Sequence, residues 1–257
     1  MTKRKQDLIS KYFNTKELNE TIKECKETCD NNILANNECA KNEDQWLDIT
    51  GPQLSLSSLM LYRKVEERKY IFNELERQIT YFSDPKLTRI TVFGRCYDLP
   101  RKQAAYGNDG VTYTYSGIKI AARPWTDAVI LQQILRDIKK ATNIDYNFVL
   151  VNRYQDGRNK MGEHKDDEKE LDQDVPIASL SFGQERDFIF RHQDLVKKVN
   201  KGLASDNGKK LQKIVLKDGM LLLMNPPTNQ FWYHSLPRRS IRTCPDVRIN
   251  MTFRKII

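Results

Sequence analysis

Arg248-Ile249-Asn250-Met251-Thr252-Phe253-Arg254 alternates polar and apolar side chains without a break. Successive side chains of a strand point to opposite faces. Arg248, Asn250, Thr252 and Arg254 therefore share one face, and Ile249, Met251 and Phe253 the other. Turned inward, a face with two guanidinium groups needs anions to pair with. A small dicarboxylate suits it, because arginine forks bind carboxylates in bidentate fashion. Turned outward, the same face is a basic edge that resists pairing with another chain.

Upstream of this stretch, strand follows strand: Tyr146–Tyr154, Ile177–Phe182, Asp187–Arg191, Gln212–Leu216 and Met220–Met224, with the last strand running from Arg248 to Ile256. Further upstream, Ser57–Val65 reads as a strand, and Glu66–Phe82 as a helix with Tyr70, Ile71, Leu75 and Ile79 on one face. Leu87–Tyr97 alternates and is interrupted by Phe93-Gly94-Arg95, a hairpin signal. A second helix is expected from Thr126, an N-cap after Pro124, to Ala141, with Val129, Ile130, Ile134, Leu135 and Ile138 as its apolar stripe. Two helices against a β-rich C-terminal half predict an α+β, mainly β fold: a double-sheet jelly roll with helices backing one sheet.

The 257 residues are enough for one sizeable domain and a tail. A net charge of +9 points to a polyanionic partner, nucleic acid being the usual one. No apolar run approaches membrane-span length, and no secretory segment follows the N-terminus. Five cysteines, an odd number, give no disulfide framework. Cys25, Cys29 and Cys39 lack a fourth ligand at finger spacing, which points to free thiols in an intracellular compartment. Residues 1–50 are polar and too poor in large apolar groups to fold. The domain is expected over 51–257.

Within that tail, Gln6-Asp7-Leu8-Ile9-Ser10-Lys11-Tyr12-Phe13 fits Q-x-x-(aliphatic)-x-x-(aromatic)-(aromatic) and resembles the peptide that docks on the eukaryotic sliding clamp. One turn would place Ile9, Tyr12 and Phe13 together as a plug, with Gln6 reaching a polar pocket.

Met161-Gly162-Glu163-His164-Lys165-Asp166-Asp167-Glu168 carries the chemistry. On an extended strand, His164 and Asp166 lie on one face, so an imidazole nitrogen and a carboxylate oxygen can reach one metal ion. His234, in Trp232-Tyr233-His234-Ser235, supplies a second imidazole. Two His and one carboxylate leave ferrous iron open positions for substrate and oxygen. The competing readings are a solvated acidic loop and a half-buried structural histidine. Asn152 and Tyr154 alternate on one strand and face the same side. His192 has no partner at ligand spacing and reads as structural or DNA-facing.

Taken in order, Asn152-Arg153-Tyr154, Gly162 to Glu168, Pro176-Ile177-Ala178-Ser179, Trp232 to Pro237 and Arg248 to Arg254 resemble the AlkB family. These are dioxygenases that use iron(II), 2-oxoglutarate and O2 to repair alkylated nucleobases. The resemblance runs from about residue 55 to the C-terminus and is closest to the nuclear, duplex-DNA-acting branch. It implies a double-stranded β-helix, with His164, Asp166 and His234 holding iron. Asn152, Tyr154, Arg248, Asn250, Thr252 and Arg254 would bind 2-oxoglutarate.

The resemblance also implies a substrate side. Tyr113 and Tyr115 would line the lesion pocket, with Tyr115 opposite His164, and Ser116, Asp167 and Glu168 would join them there. Val92-Phe93-Gly94-Arg95 resembles a wedge hairpin that fills the gap left by an extruded base. Arg101 and Lys102 would contact the DNA backbone, as would cations at 197–210 and Arg238-Arg239. The implied activity is demethylation of N1-methyladenine and N3-methylcytosine in double-stranded DNA, with etheno adducts as an extension, by a nuclear, clamp-tethered monomer. The alternatives are an RNA demethylase of the same family and an inactive lesion binder.

Overall fold

The computed structural model describes residues 45–92, 95–115, 118–195 and 211–257. The clamp-like peptide (Gln6, Ile9, Tyr12, Phe13), the tail cysteines and the cations at 197–210 lie outside them. So do Phe93, Gly94 and Ser116, and the side chains of Val92, Arg95 and Tyr115.

The described compact unit starts at Trp46, ahead of the expected boundary at 51. Strands β1 (Leu47–Gly51) and β2 (Leu54–Met60) pair as a hairpin. Helix α1 (Val65–Gln78) follows, then a helical turn at Pro85–Thr88 and a ribbon of β3 (Arg89–Val92) and β4 (Arg95–Asp98). Next come β5 (Lys102–Gly107), a second ribbon of β6 (Thr112–Tyr115) and β7 (Ile118–Ala121), and the short β8 (Arg123–Pro124). A tight turn at Trp125–Asp127 leads into helix α2 (Val129–Thr142). Then come β9 (Phe148–Tyr154), β10 (Met161–His164), β11 (Ile177–Gly183), β12 (Arg186–His192) and β13 (Leu211–Leu216). Strand β14 (Met220–Met224), a helical turn at Thr228–Phe231, β15 (Trp232–Leu236) and β16 (Arg248–Arg254) complete the order.

Strands β9 to β16 divide between two sheets. β14, β11, β16 and β9 are consecutive in an eight-stranded sheet of order β1-β2-β14-β11-β16-β9-β5-β8. The other four form the sheet β10-β15-β12-β13. This is the expected double-stranded β-helix, extended on its large sheet by the N-terminal strands. Gly183 ends β11 at φ +79°, where a Cβ would strike the Val247 carbonyl, so the turn into β12 requires glycine.

Alternation in the large sheet builds two separate cores. Val149 and Val151 of β9 and Ile249, Met251 and Phe253 of β16 pack with Ile71 and Leu75 of α1 and Ile130, Ile134 and Ile138 of α2. The opposite face meets the small sheet, where Phe148, Leu150, Leu222 and Met224 join Phe188, Phe190, Ile214 and Trp232. β16 lies between β11 and β9 and is buried along its whole length. Its arginines are therefore internal, and the basic-edge reading is excluded.

The helices differ from expectation at their ends. Tyr70 and Val129 are exposed, and Leu131 takes the place expected for Val129 in the buried stripe. α1 stops at Gln78 because Ile79 turns extended, and α2 starts at Val129 without a side-chain cap of its own. The Ile130 N–H instead donates to Gln78 Oε1 at 3.0 Å. A contact between helices thus supplies the cap that Thr126 was expected to provide.

Candidate active site

Each of the eight strands β9 to β16 contributes at least one side chain to a single cavity between the two sheets. From the large sheet come Asn152, Tyr154, Ser179, Arg248, Asn250, Thr252 and Arg254; from the small sheet come His164, Phe188, Leu216 and His234. Asp166 reaches the same space.

His164, Asp166 and His234 offer ligand atoms that all lie within 4.8 Å of one another. His164 Nε2 is 3.6 Å from Asp166 Oδ1, and His234 Nε2 is 4.0 Å from Asp166 Oδ2. The two imidazoles face each other across 4.3 Å because β10 pairs with β15 and His164 is the register partner of His234. Nδ1 of His164 lies 3.0 Å from the Gly162 carbonyl. The Nδ1–H donates there, which leaves the Nε2 lone pair facing the cluster.

Asp166 was expected on the same strand as His164, but β10 ends at His164 and Asp166 lies past it in irregular chain. Its placement depends on a residue that the sequence did not single out. The Asp166 N–H donates to Asn229 Oδ1 at 3.0 Å, and Asn229 Nδ2 donates back to the Asp166 carbonyl. Its carboxylate is oriented by Arg254, whose Nη2 lies 3.0 Å from Oδ2, while Oδ1 accepts no hydrogen bond among the described residues.

Electrostatics follow from this geometry. Burial pushes the Asp166 carboxyl up, but Arg254 and the two histidines outweigh burial and hold it down at about 2. Burial first, then His164, lowers His234 to about 3, so its imidazole is neutral. Two imidazole nitrogens and one carboxylate oxygen, closely spaced and largely buried, are a donor set that fits ferrous iron.

Arg248 is 1% exposed and has no carboxylate within ion-pair distance among the described residues. Nη2 donates to Ser181 Oγ at 2.7 Å, Nη1 reaches the Gln184 and Leu216 carbonyls at 3.5 Å, and Nε has no hydrogen-bond partner among the described residues. Burial pulls its pKa down to about 10, still well above neutrality. A buried cation of this kind is costly unless an anion meets it.

The six residues expected to hold 2-oxoglutarate all line the cavity, but they are not equivalent. Arg254 is committed to Asp166. Asn250 Nδ2 donates to Ser179 Oγ at 2.9 Å, and Thr252 Oγ1 to the Leu150 carbonyl at 3.3 Å. Asn152 Oδ1 accepts from Arg101 Nε and Gln103 Nε2, each at 2.9 Å. With its oxygen occupied by two donors, Asn152 must turn its Nδ2 donor toward the cavity. Arg101, expected to contact the DNA backbone, thus lies against Asn152, and Gln103 is a contributor that the sequence reading missed. Register alone could have found it, because Gln103 sits directly opposite Asn152 in the β5–β9 pair.

On the substrate side, Tyr113 is buried, with its ring 5.0 Å from Phe148 and 5.3 Å from the Arg254 guanidinium. Burial raises both the Tyr113 hydroxyl and the nearby Glu168 carboxyl. Asp167 is exposed and does not line the cavity that Asp166 faces. His192 lies apart, its Nε2 2.9 Å from Gln53 Oε1 and its ring parallel to Phe231, in keeping with a structural role.

The sequence matches the family model described as 2OG-Fe(II) oxygenase superfamily over residues 56–254. It is 44% identical over 212 residues to the mouse protein named DNA oxidative demethylase ALKBH2, covering 82% of this chain and 84% of that one. The human protein of the same name is also 44% identical, covering 82% of this chain and 77% of its own. Alpha-ketoglutarate-dependent dioxygenase alkB homolog 3 of Bos taurus is 35% identical over 164 residues, 62% of this chain and 53% of that protein.

Proposed function

The chain belongs to the 2OG-Fe(II) oxygenase superfamily, and we propose that it demethylates alkylated DNA bases with His164, Asp166 and His234 as iron ligands and Arg248 as the 2-oxoglutarate anchor. It is a dioxygenase whose cofactors are Fe(II), 2-oxoglutarate and O2. Oxidative DNA demethylation is the activity carried by the name of its ALKBH2 relatives. The observation that supports the residue roles best is the buried, carboxylate-free guanidinium of Arg248 in the same cavity as the His-Asp-His cluster.

In this reading Arg248 receives one carboxylate of 2-oxoglutarate in a fork, and the Asn152 amide presents an N–H to the same ligand. Tyr154, Asn250 and Thr252 complete the polar wall. Arg254 acts one step removed, keeping Asp166 ionised and turned so that Oδ1 faces the histidines. Phe188 and Phe190, with rings 5.3 and 6.0 Å from His234, shield the cluster from water. When bound, the iron supplies the oxygen activation that hydroxylates an N-methyl carbon, after which the substrate releases formaldehyde and the restored base.

The finer reading rests on the family resemblance. Tyr113, Tyr115, Ser116, Asp167 and Glu168 form the pocket for an extruded base, and Val92, Phe93, Gly94 and Arg95 fill the gap in a duplex. Arg101 stands between the two functions. N1-methyladenine and N3-methylcytosine are the expected lesions, because damage on the pairing edge lowers the cost of base extrusion. Nuclear residence, a monomeric state and clamp docking through Gln6, Ile9, Tyr12 and Phe13 belong to the same proposal.

The test is release of formaldehyde and succinate from a duplex carrying one N1-methyladenine. Near-equal release, dependent on iron and 2-oxoglutarate, is the expected result. Succinate without base repair would move the substrate to another class. Stronger turnover on methylated RNA would overturn the choice of DNA.

A further inference from the structure

Of the three cluster residues, His164 and His234 are fixed by strand pairing. Asp166 has no such support. β10 ends two residues earlier, its register with β15 shifts between Met161 and His164, and the chain then runs without regular structure. Arg254 turns the carboxylate, but the backbone that carries it lies outside any strand ladder and needs an anchor of its own.

We propose that Asn229 is the positioning residue that sets Asp166, acting as a side-chain substitute for the missing strand partner. The amide accepts from the Asp166 N–H at 3.0 Å and donates to the Asp166 carbonyl, reproducing the two-bond exchange of an antiparallel ladder. The helical turn that carries Asn229 is itself pinned. Thr228 Oγ1 accepts from the Ser55 N–H at 2.8 Å and donates to the Ser55 carbonyl at 2.9 Å, tying the turn to β2. Lys165 adds a second strut to the same turn. Its Nζ donates to the Gln230 carbonyl at 2.5 Å and to Gln193 Oε1 at 3.2 Å, and it lies over the Tyr233 ring.

The turn also leads directly into β15, which carries His234. One short segment, residues 228–234, therefore fixes the backbone of Asp166 at one end and the second histidine at the other. That segment thus acts together with Arg254, which turns the carboxylate, and with β10, which carries His164. Asn229 does not line the cavity that holds the cluster, and the proposal has it act through Asp166.

This inference rests on the reading that His164, Asp166 and His234 bind the metal, and the experiment separates the two. Mn(II), a redox-inert stand-in for Fe(II), is titrated into the whole protein and its dissociation constant measured by calorimetry. Asp166→Ala, Asn229→Ala and Asn229→Leu are compared, the leucine filling the space of the amide if alanine does not fold. Asn229→Ala or Asn229→Leu is expected to weaken Mn(II) binding by roughly 10- to 100-fold, the range found when groups that orient a metal ligand are removed. In the Asp166→Ala background the same change is expected to cost nothing further, because the effect passes through that carboxylate. If Asp166→Ala leaves Mn(II) affinity intact, the ligand assignment fails. If Asp166→Ala loses affinity while folded Asn229 variants keep it, the assignment stands and this inference is overturned.

Discussion

The two faces of β16 are equally buried and chemically opposite. Ile249, Met251 and Phe253 are fully covered by the helices and their neighbours. Arg248, Asn250, Thr252 and Arg254, one residue out of step, line the cavity. The apolar face is complete in the protein alone. The polar face is not: Asp166 Oδ1, Arg248 Nε and Arg254 Nε are buried without a hydrogen-bond partner among the described residues. Buried polar atoms nearly always find partners. Three such exceptions meeting in one cavity mark a surface built to be completed by something else. The helix-backed face thus supplies stability and the rigid backbone, and the cavity face carries a cost that only a ligand offsets.

That division is broken or sharpened by substitution. The largest effect is expected for Asp166→Ala, which removes one of three cation ligands and leaves Arg254 without its partner. Turnover on a methylated duplex should fall more than about a thousandfold, over 4 kcal/mol of transition-state stabilisation. Residual activity within tenfold of the parent would detach the cluster from the chemistry.

Met251→Ala tests the other face. Truncating this buried side chain should cost about 2–5 kcal/mol, read as a lower urea midpoint. Turnover per folded molecule should be unchanged well below that midpoint. A matching loss of kcat would show that the two faces are not separable, the helix-side packing then reaching the reacting groups through the strand itself.

Arg248→Met should move the two quantities in opposite directions. The guanidinium meets no carboxylate within ion-pair distance among the described residues, and its acceptors are the neutral Ser181 hydroxyl and two backbone carbonyls. Replacing it with an apolar side chain therefore removes a buried charge without stranding an opposite one. The melting temperature should hold or rise. The KM for 2-oxoglutarate should increase between about tenfold and a hundredfold, the worth of about 1.5–3 kcal/mol of charge-assisted bonding. A variant that is destabilised and binds 2-oxoglutarate normally would remove Arg248 from the anchor role.

What the sequence can specify of this arrangement follows from what each residue depends on. The strand character of β16 and the shared face of its arginines lie within seven residues, and local alternation states them. Whether that face looked inward was not local, since both a basic edge and an anion site fit the pattern; only the place of β16 between β11 and β9 decides it. His164 and His234 were readable as types, and the pairing of β10 with β15 supplies the reason that they meet. Tyr70 and Val129 were misplaced because helical periodicity says which residues share a stripe and not where the stripe ends. Asn229 and Gln103 left no mark at all. Each acts on a residue far along the chain, 63 and 49 positions away, through a side-chain amide with no periodic signature. Groups that orient other groups are set by tertiary register, and that is where sequence pattern carries least.

Gln103 offers the smallest and finest test. It shares the Asn152 oxygen with Arg101, so Gln103→Leu leaves one donor in place and the amide still turned with Nδ2 toward the cavity. The loss should be that of a single neutral hydrogen bond, about 0.5–1.5 kcal/mol, seen as a two- to tenfold rise in the KM for 2-oxoglutarate with kcat at saturation unchanged. Gln103→Glu poses the sharper question. A carboxylate there can only accept, which favours a flipped Asn152 with Nδ2 toward residue 103 and Oδ1 toward the ligand. An acceptor then faces an anion where a donor faced it before, so the rise in KM should exceed that of the leucine variant. Equal effects from the two would mean that Asn152 presents no donor to 2-oxoglutarate, and that the polar face makes its selection at Arg248 alone.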